Sequence, residues 1–279
     1  MKSPFQFAAA SVTGRSHRNA GRNNQDAFCF LQEPFCTVAV VCDGCGSGAC
    51  SEVGARLGAR LVAQAILQGR DTADGPFAIT CLETVRCEVL NRLASLAAGL
   101  GDNLTATITD YLLFTVVGVV LTPRCSVFFS LGDGVVAVNE EVMALGPFPG
   151  NAPPYLGYGL VESSLERVDP ELLRFRILRT VPTDDLQSFL IGSDGVQDLM
   201  AMAGRNIPGK KETVGPLSRL WQDNRNFANP DMLRRHLAAV NRDAPAGGDG
   251  RRKEPGLLHD DTTIVVGSRV QGSRGGAAL

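Results

Sequence analysis

Four acidic clusters are spread along this chain: Asn24-Gln25-Asp26, Asp43-Gly44, Ser193-Asp194-Gly195 and Asp260-Asp261. If folding brings their carboxylates to one point, the chemistry on offer is that of hard cations. Several ionised Asp side chains held together repel one another and lose solvent, at a cost of several kcal/mol. Mg²⁺ and Mn²⁺ prefer all-oxygen donor sets and offset that cost. An Asp-Gly pair taken alone is a turn dipeptide. Its recurrence at the end of an apolar run, at Asp43-Gly44 and again at Asp194-Gly195, points to a site.

The elements that must position these acids are legible on either side of them. Val38-Ala39-Val40-Val41-Cys42 runs into Asp43, and Phe189-Leu190-Ile191-Gly192 runs into Ser193 and Asp194. Asp26 leads into Ala27-Phe28-Cys29-Phe30, and Asp260-Asp261 leads into Thr262-Thr263-Ile264-Val265-Val266. Enrichment in Val, Ile, Phe and Thr predicts strands over residues 5–10, 27–31, 37–42, 112–121, 126–131, 135–138, 175–180, 188–191 and 262–266. Helical spacing predicts helices over 51–67, 78–96 and 229–240, the last behind the start signal Asn229-Pro230-Asp231. Gly132-Asp133-Gly134 is a short link with glycines free to take positive φ, and predicts an antiparallel hairpin between 126–131 and 135–138. Strands in blocks with few helices between them favour an α+β fold over a doubly wound parallel sheet. Residues 241–256 are expected to form an exposed loop, 271–279 a frayed tail, and 1–270 a single domain.

Composition narrows the function classes. A chain of 279 residues, 44% hydrophobic and 20% charged, can bury a full core. Its formal net charge of -2 provides no field to gather nucleic acid or anionic lipid. The run Arg251-Arg252-Lys253 sits among Gly and Pro and is expected to be a solvated loop. The longest apolar stretch, 111–121, is too short to span a bilayer, and no cleavable leader is visible, so the expected location is the cytoplasm. The 8 cysteines are sparse and set in apolar runs, which suits buried free thiols rather than a disulfide framework.

Taken in order, these motifs resemble the type 2C metal-dependent serine/threonine protein phosphatases, in particular a bacterial branch of that family. The resemblance rests on an Asn-[Glu/Gln]-Asp element at 24–26, Asp43-Gly44-Cys45-Gly46-Ser47-Gly48, Gly132-Asp133-Gly134, Ser193-Asp194-Gly195 and Asp260-Asp261-Thr262-Thr263, and spans residues 14–266. It implies a four-layer αββα sandwich, two antiparallel sheets face to face with helices outside. It implies hydrolysis of phosphoserine and phosphothreonine by in-line attack of a hydroxide bridging two Mn²⁺ or Mg²⁺ ions. Asp43 would bridge the ions, Gly44 would offer its carbonyl, Asp194 and Asp260 would complete one ion, and Asp26 would hold metal-bound waters. The partner would be a phosphorylated protein substrate, with the enzyme opposing a serine/threonine kinase.

The chain departs from the family pattern at several positions. Gln25 stands where many members have Glu, which loses a charge and is expected to weaken the second ion site. The usual phosphate-binding Arg position is Gly21, leaving Arg18 and Arg22 as the available bidentate forks. Cys45 occupies the place of a general-acid His found in some members and is not assigned a catalytic role. His17, His236 and His259 are expected to be local hydrogen-bonding residues. Among rival readings, Cys50 and Arg56 match the C-x5-R spacing of cysteine phosphatases, but Glu52 would place a carboxylate in the anion cradle. The stronger rival is a catalytically impaired phosphatase-like module that binds or regulates, as Gln25 and Gly21 would permit.

Overall fold

The computed structural model describes residues 3–69, 79–165, 168–246 and 252–270. In chain order the strands are β1 Phe5–Val12, β2 Asp26–Glu33, β3 Cys36–Asp43, β4 Val116–Leu121, β5 Cys125–Leu131, β6 Gly134–Val138, β7 Glu141–Leu145, β8 Arg176–Pro182, β9 Ser188–Gly192, β10 Ala244–Ala246, β11 Arg252–Glu254 and β12 Thr262–Arg269. The α-helices are α1 Arg15–Ala20, α2 Ser51–Gln68, α3 Ile79–Leu100, α4 Leu104–Tyr111, α5 Glu162–Leu165, α6 Val196–Ala201, α7 Arg219–Gln222, α8 Arg225–Ala228 and α9 Met232–Val240.

Two antiparallel sheets of five strands face each other, one ordered β1-β12-β9-β6-β7 and the other β2-β3-β4-β5-β8. The side chains of β3 show why both sheets read as continuous apolar runs. Val38, Val40 and Cys42 face a core shared with α2 and α3, while Ala39 and Val41 face the core between the sheets. In the other sheet Phe189, Ile191 and Val265 face that same inter-sheet core, and Leu190, Ile264 and Val266 face α6, α7 and α9. Strands buried on both faces, with side chains alternating between two cores, produce the four-layer αββα architecture. Phe128 and Phe189 meet edge-on between the sheets, centroids 5.9 Å apart, each ring adding about 1.5–3 kcal/mol of burial.

Several expectations need correction. Gly132-Asp133-Gly134 does not close a hairpin. β5 pairs with β4 and β8, whereas β6 pairs with β7 and β9, so this link carries the chain from one sheet to the other. Gly132 and Gly134, at φ 94 and 136, supply the backbone reversal that such a crossing requires. β4 starts at Val116 rather than 112, because α4 runs to Tyr111 and residues 112–115 lead out of it. α4 itself was not expected; the Asn103 side chain caps it by accepting the Ala106 N–H at 3.0 Å. β7 was also missed. It is an edge strand with mostly exposed side chains, so it lacks an apolar alternation.

The last helix begins at Met232 because the Asn229 side chain accepts the Asp231 N–H at 3.0 Å, an Asx turn ahead of the helix. Within the expected 241–256 loop, β10 and β11 form a short antiparallel pair. The expected tail 271–279, Arg251 and the first residue of the helix expected at 78 lie outside the described residues. Among the described residues no helix is long and apolar enough to cross a membrane.

Candidate metal centre

In an antiparallel sheet the start of one strand lies beside the end of the next, so acids flanking different strands can gather at one end of the sandwich. Asp26 opens β2 and Asp43 closes β3, and the two are directly paired in register. Asp194 follows the end of β9 by two positions and Asp260 precedes β12 by two, and those strands are also neighbours. A hydrogen bond joins the two sheets here: Ser193 Oγ donates to Asp26 Oδ2 at 2.6 Å. The Thr263 N–H in turn donates to Ser193 Oγ at 3.1 Å, which fixes the hydroxyl's orientation.

These carboxyls act on one another electrostatically. Burial pushes Asp26 up to about 8, with the Ser193 hydroxyl pulling the other way and the charges of Asp261 and Asp194 adding to the rise. Asp43 is held well above the usual carboxylate range by desolvation first and then by Asp26, Asp194, Asp260 and Asp133. Asp194 is raised by burial first and then by the Asp260 charge. Asp133, which no strand-end argument identified, is raised to about 7 by burial and by the Asp194 charge. It reaches the cluster because its turn crosses between the sheets. The Gly-Asp-Gly signal was visible in the sequence, but read as a hairpin it placed Asp133 at a tip rather than at the centre.

Asp261 plays a different part. It is 2% exposed and accepts the Gly14 N–H and the Gln25 N–H, both at 2.6 Å, and contacts His17 Nδ1 at 2.8 Å. This carboxylate ties the entry to α1 and the entry to β2 onto the start of β12. His17 is therefore a long-range anchor rather than a local one, and its ring also lies 4.0 Å from Asp260 Oδ1. Asp198 Oδ2 accepts the backbone N–H groups of His259 and Asp260, at 2.6 and 3.2 Å, and holds that segment from the other side. Close backbone approach also demands glycine at 44, where a Cβ would lie 2.8 Å from both Ser51 O and Ser51 Oγ.

The two arginines take different positions. Arg22 donates through Nη1 to Gly46 O at 2.6 Å and through Nη2 to Gly48 O at 3.3 Å, and so grips the loop after Asp43. Arg18 instead turns to Asn241 Oδ1 at 3.5 Å and Asp243 Oδ1 at 3.8 Å. Gln25 Oε1 is buried beside Gly46 without a hydrogen-bond partner.

The donor set suits a hard divalent cation. Asp26 Oδ1 and Asp194 Oδ1 are both buried and have no hydrogen-bond partner, in a group of carboxyls whose raised proton affinities mark an uncompensated negative charge. Native proteins rarely leave such atoms unpaired unless something else occupies them. Oxygen-only ligands favour Mg²⁺ or Mn²⁺ over softer metals.

The profile of the protein phosphatase 2C family matches residues 13–240. The chain belongs to that family. The matched stretch holds Asp26, Asp43, Asp133 and Asp194, while Asp260 and Asp261 lie beyond its end, just ahead of β12, which pairs with β1 and β9. Solved structures share this fold. A bacterial serine phosphatase aligns over 95% of this chain and 97% of its own, at 15% identity and TM-score 0.54. The serine/threonine phosphatase Stp1 from Staphylococcus aureus aligns over 98% of this chain and 96% of its own, at 14% identity and TM-score 0.52. A C. elegans sex determining protein aligns over 96% of this chain but 66% of its own, at 12% identity and TM-score 0.56. At such identities the likeness is one of fold. No curated protein sequence gives a significant match to the chain.

Proposed function

We propose that this phosphatase 2C chain, with residues 1–270 as one domain, is a metal-dependent hydrolase of phosphoserine and phosphothreonine in proteins, acting against a serine/threonine kinase. The observation that carries the reading is the convergence of Asp26, Asp43, Asp133, Asp194 and Asp260 around carboxylate oxygens that are buried and unpartnered. Asp43, Asp194 and Asp260, with the Gly44 carbonyl and the Asp26 side chain, would hold Mn²⁺ or Mg²⁺. Such ions, when bound, supply a water acidified to near-neutral pKa and neutralise charge on the phosphoryl oxygens.

The chain's own residues do the rest. Ser193 orients Asp26 by occupying Oδ2, so that Oδ1 is the oxygen left without a hydrogen-bond partner. Asp198 holds the Asp260 segment by its backbone, and the Asp261 side chain ties that segment to the Gly14 and Gln25 N–H groups. Of the two arginines we favour Arg22 for the phosphate. It lies against the loop that follows Asp43 and keeps guanidinium donors beyond the two spent on that loop. Gln25 brings no charge, and on that ground the second ion is the weaker one.

The test is hydrolysis of p-nitrophenyl phosphate and of a phosphothreonine peptide, with and without Mn²⁺, for wild type and Asp194→Ala. Metal-dependent turnover abolished in the variant supports the reading. A second reading, a phosphatase-like module that binds without turnover, draws on the engagement of Arg18 with Asn241 and Asp243 and on Gly21 in the usual arginine position. Silence of the wild type at millimolar Mn²⁺ would favour that module.

A further inference from the structure

Four strands change character at the same end of the sandwich. Phe7 and Ala9 of β1, Val265 of β12, Phe189 and Ile191 of β9 and Phe30 of β2 all pack on the core between the sheets. Side chains alternate along a strand, so the same rows continue to Ser11, Thr263 and Ser193 and, past the exposed Phe28, to Asp26. Each apolar row therefore ends on a hydroxyl or a carboxyl. Thr263, Ser193 and Asp26 are buried there. Burying polar groups is costly unless they are hydrogen-bonded, and these are bonded to one another.

Ser11 and Thr263 are direct partners in the β1–β12 register, and the Thr263 hydroxyl donates to Ser11 Oγ at 2.6 Å. Ser11 Oγ also accepts from Asn24 Nδ2 at 2.8 Å, which uses both of its lone pairs. The other end of that amide, Asn24 Oδ1, accepts the Asp26 N–H at 2.9 Å. Asp26 Oδ2 accepts from Ser193 Oγ, which itself receives the Thr263 N–H, and the path returns to Thr263. The closed ring through Ser11, Asn24, Asp26, Ser193 and Thr263 crosses between the sheets at Asn24, just ahead of β2, and again at Ser193. Asp26 is thus held at its backbone N–H and at Oδ2, and both holds lead back to the half-buried Ser11, one through Asn24 and the other through Thr263. What the ring leaves over is Oδ1, the buried oxygen without a hydrogen-bond partner. If these positions only filled space, Ala and Val would serve, as they do at Ala9 and Val265, whereas a fully bonded polar network fixes one orientation.

We propose that Ser11 is a positioning residue for the cation site, acting through Asn24 and Thr263 to fix both attachments of Asp26 and so the place of its free oxygen; this rests on the metal-phosphatase reading above. The test is calorimetric titration of Mn²⁺ into the metal-free protein, with thermal unfolding of the same samples. Ser11→Ala is expected to weaken Mn²⁺ binding about three- to tenfold, while moving the metal-free unfolding temperature by only a few degrees. Ser11→Thr, which keeps the hydroxyl on a residue suited to a strand, is expected to bind within about twofold of wild type. Asn24→Ala cuts one arm of the ring and should also lose affinity, the Ser11→Ala/Asn24→Ala double variant losing less than the two single effects combined. Ser126→Ala is the structural control. Its hydroxyl meets Thr183 Oγ1 at 2.9 Å, buried at the opposite end of the sandwich, and its removal should lower the unfolding temperature without changing Mn²⁺ affinity. Wild-type affinity in Ser11→Ala, a loss that Ser11→Thr or Ser126→Ala shares in full, or fully additive losses in the double variant would overturn this inference alone. A wild-type protein that takes up no Mn²⁺ would overturn the underlying reading and this inference with it.

Discussion

Asp26 and Asp43 stand directly opposite each other across the β2–β3 pair, two carboxyl groups at one rung of a sheet. Like charges directly opposite are destabilising in a sheet, so the folded chain relieves the strain by holding protons or by holding cations.

The first prediction concerns pH. Asp26 rises from 3.8 to about 8 and Asp133 from 3.8 to about 7. The folded metal-free protein therefore binds more protons than the unfolded chain between these limits, and stability falls as pH rises through that window. The contribution is fully present below about pH 4 and lost by about pH 8. Unfolding temperatures of EDTA-treated protein should fall steadily over this range, and Asp26→Asn should flatten the slope. Added Mn²⁺ should raise the unfolding temperature more at the alkaline end, where the ligands are free of protons. A flat profile without metal would contradict the cluster.

The buried Asp261 gives a second prediction, separate from catalysis. Asp261→Asn replaces one acceptor oxygen by a donor facing N–H groups that now bond the carboxylate. The expected loss is about 2–4 kcal/mol in urea unfolding. His17→Ala removes one of the partners and should cost less.

The arginines should separate cleanly in kinetics. Arg22→Ala is expected to lower kcat/KM for p-nitrophenyl phosphate about tenfold or more. Arg22→Lys should recover little, because an ammonium cannot reproduce the fork that meets Gly46 and Gly48. Arg18→Ala, whose guanidinium faces Asn241 and Asp243, should stay within about twofold of wild type.

A steric prediction tests the backbone at the same end of the sandwich. At Gly195 a Cβ would lie 2.0 Å from the Asp261 carbonyl oxygen. Gly195→Ala should therefore destabilise the protein by about 3 kcal/mol, read as a lowered unfolding temperature with and without metal. Gly204→Ala, where nothing lies within 4 Å, is the matched control and should change little.

The sequence by itself determined the apolar runs that become β3, β9 and β12, the acids at their ends, and the α+β class. These depend on neighbouring residues, through backbone preference and side-chain alternation. Which sheet each strand would join was a matter for tertiary structure alone. The glycines around Asp133 announce a reversal of the chain in either case, and only the packing of β6 between β7 and β9 turns that reversal into a crossing that brings Asp133 to the cluster. The same holds for His17 and Asp261, 244 positions apart, and for the choice between Arg18 and Arg22. Contacts between residues so distant are selected by the burial of whole faces, and no local pattern in the chain records them.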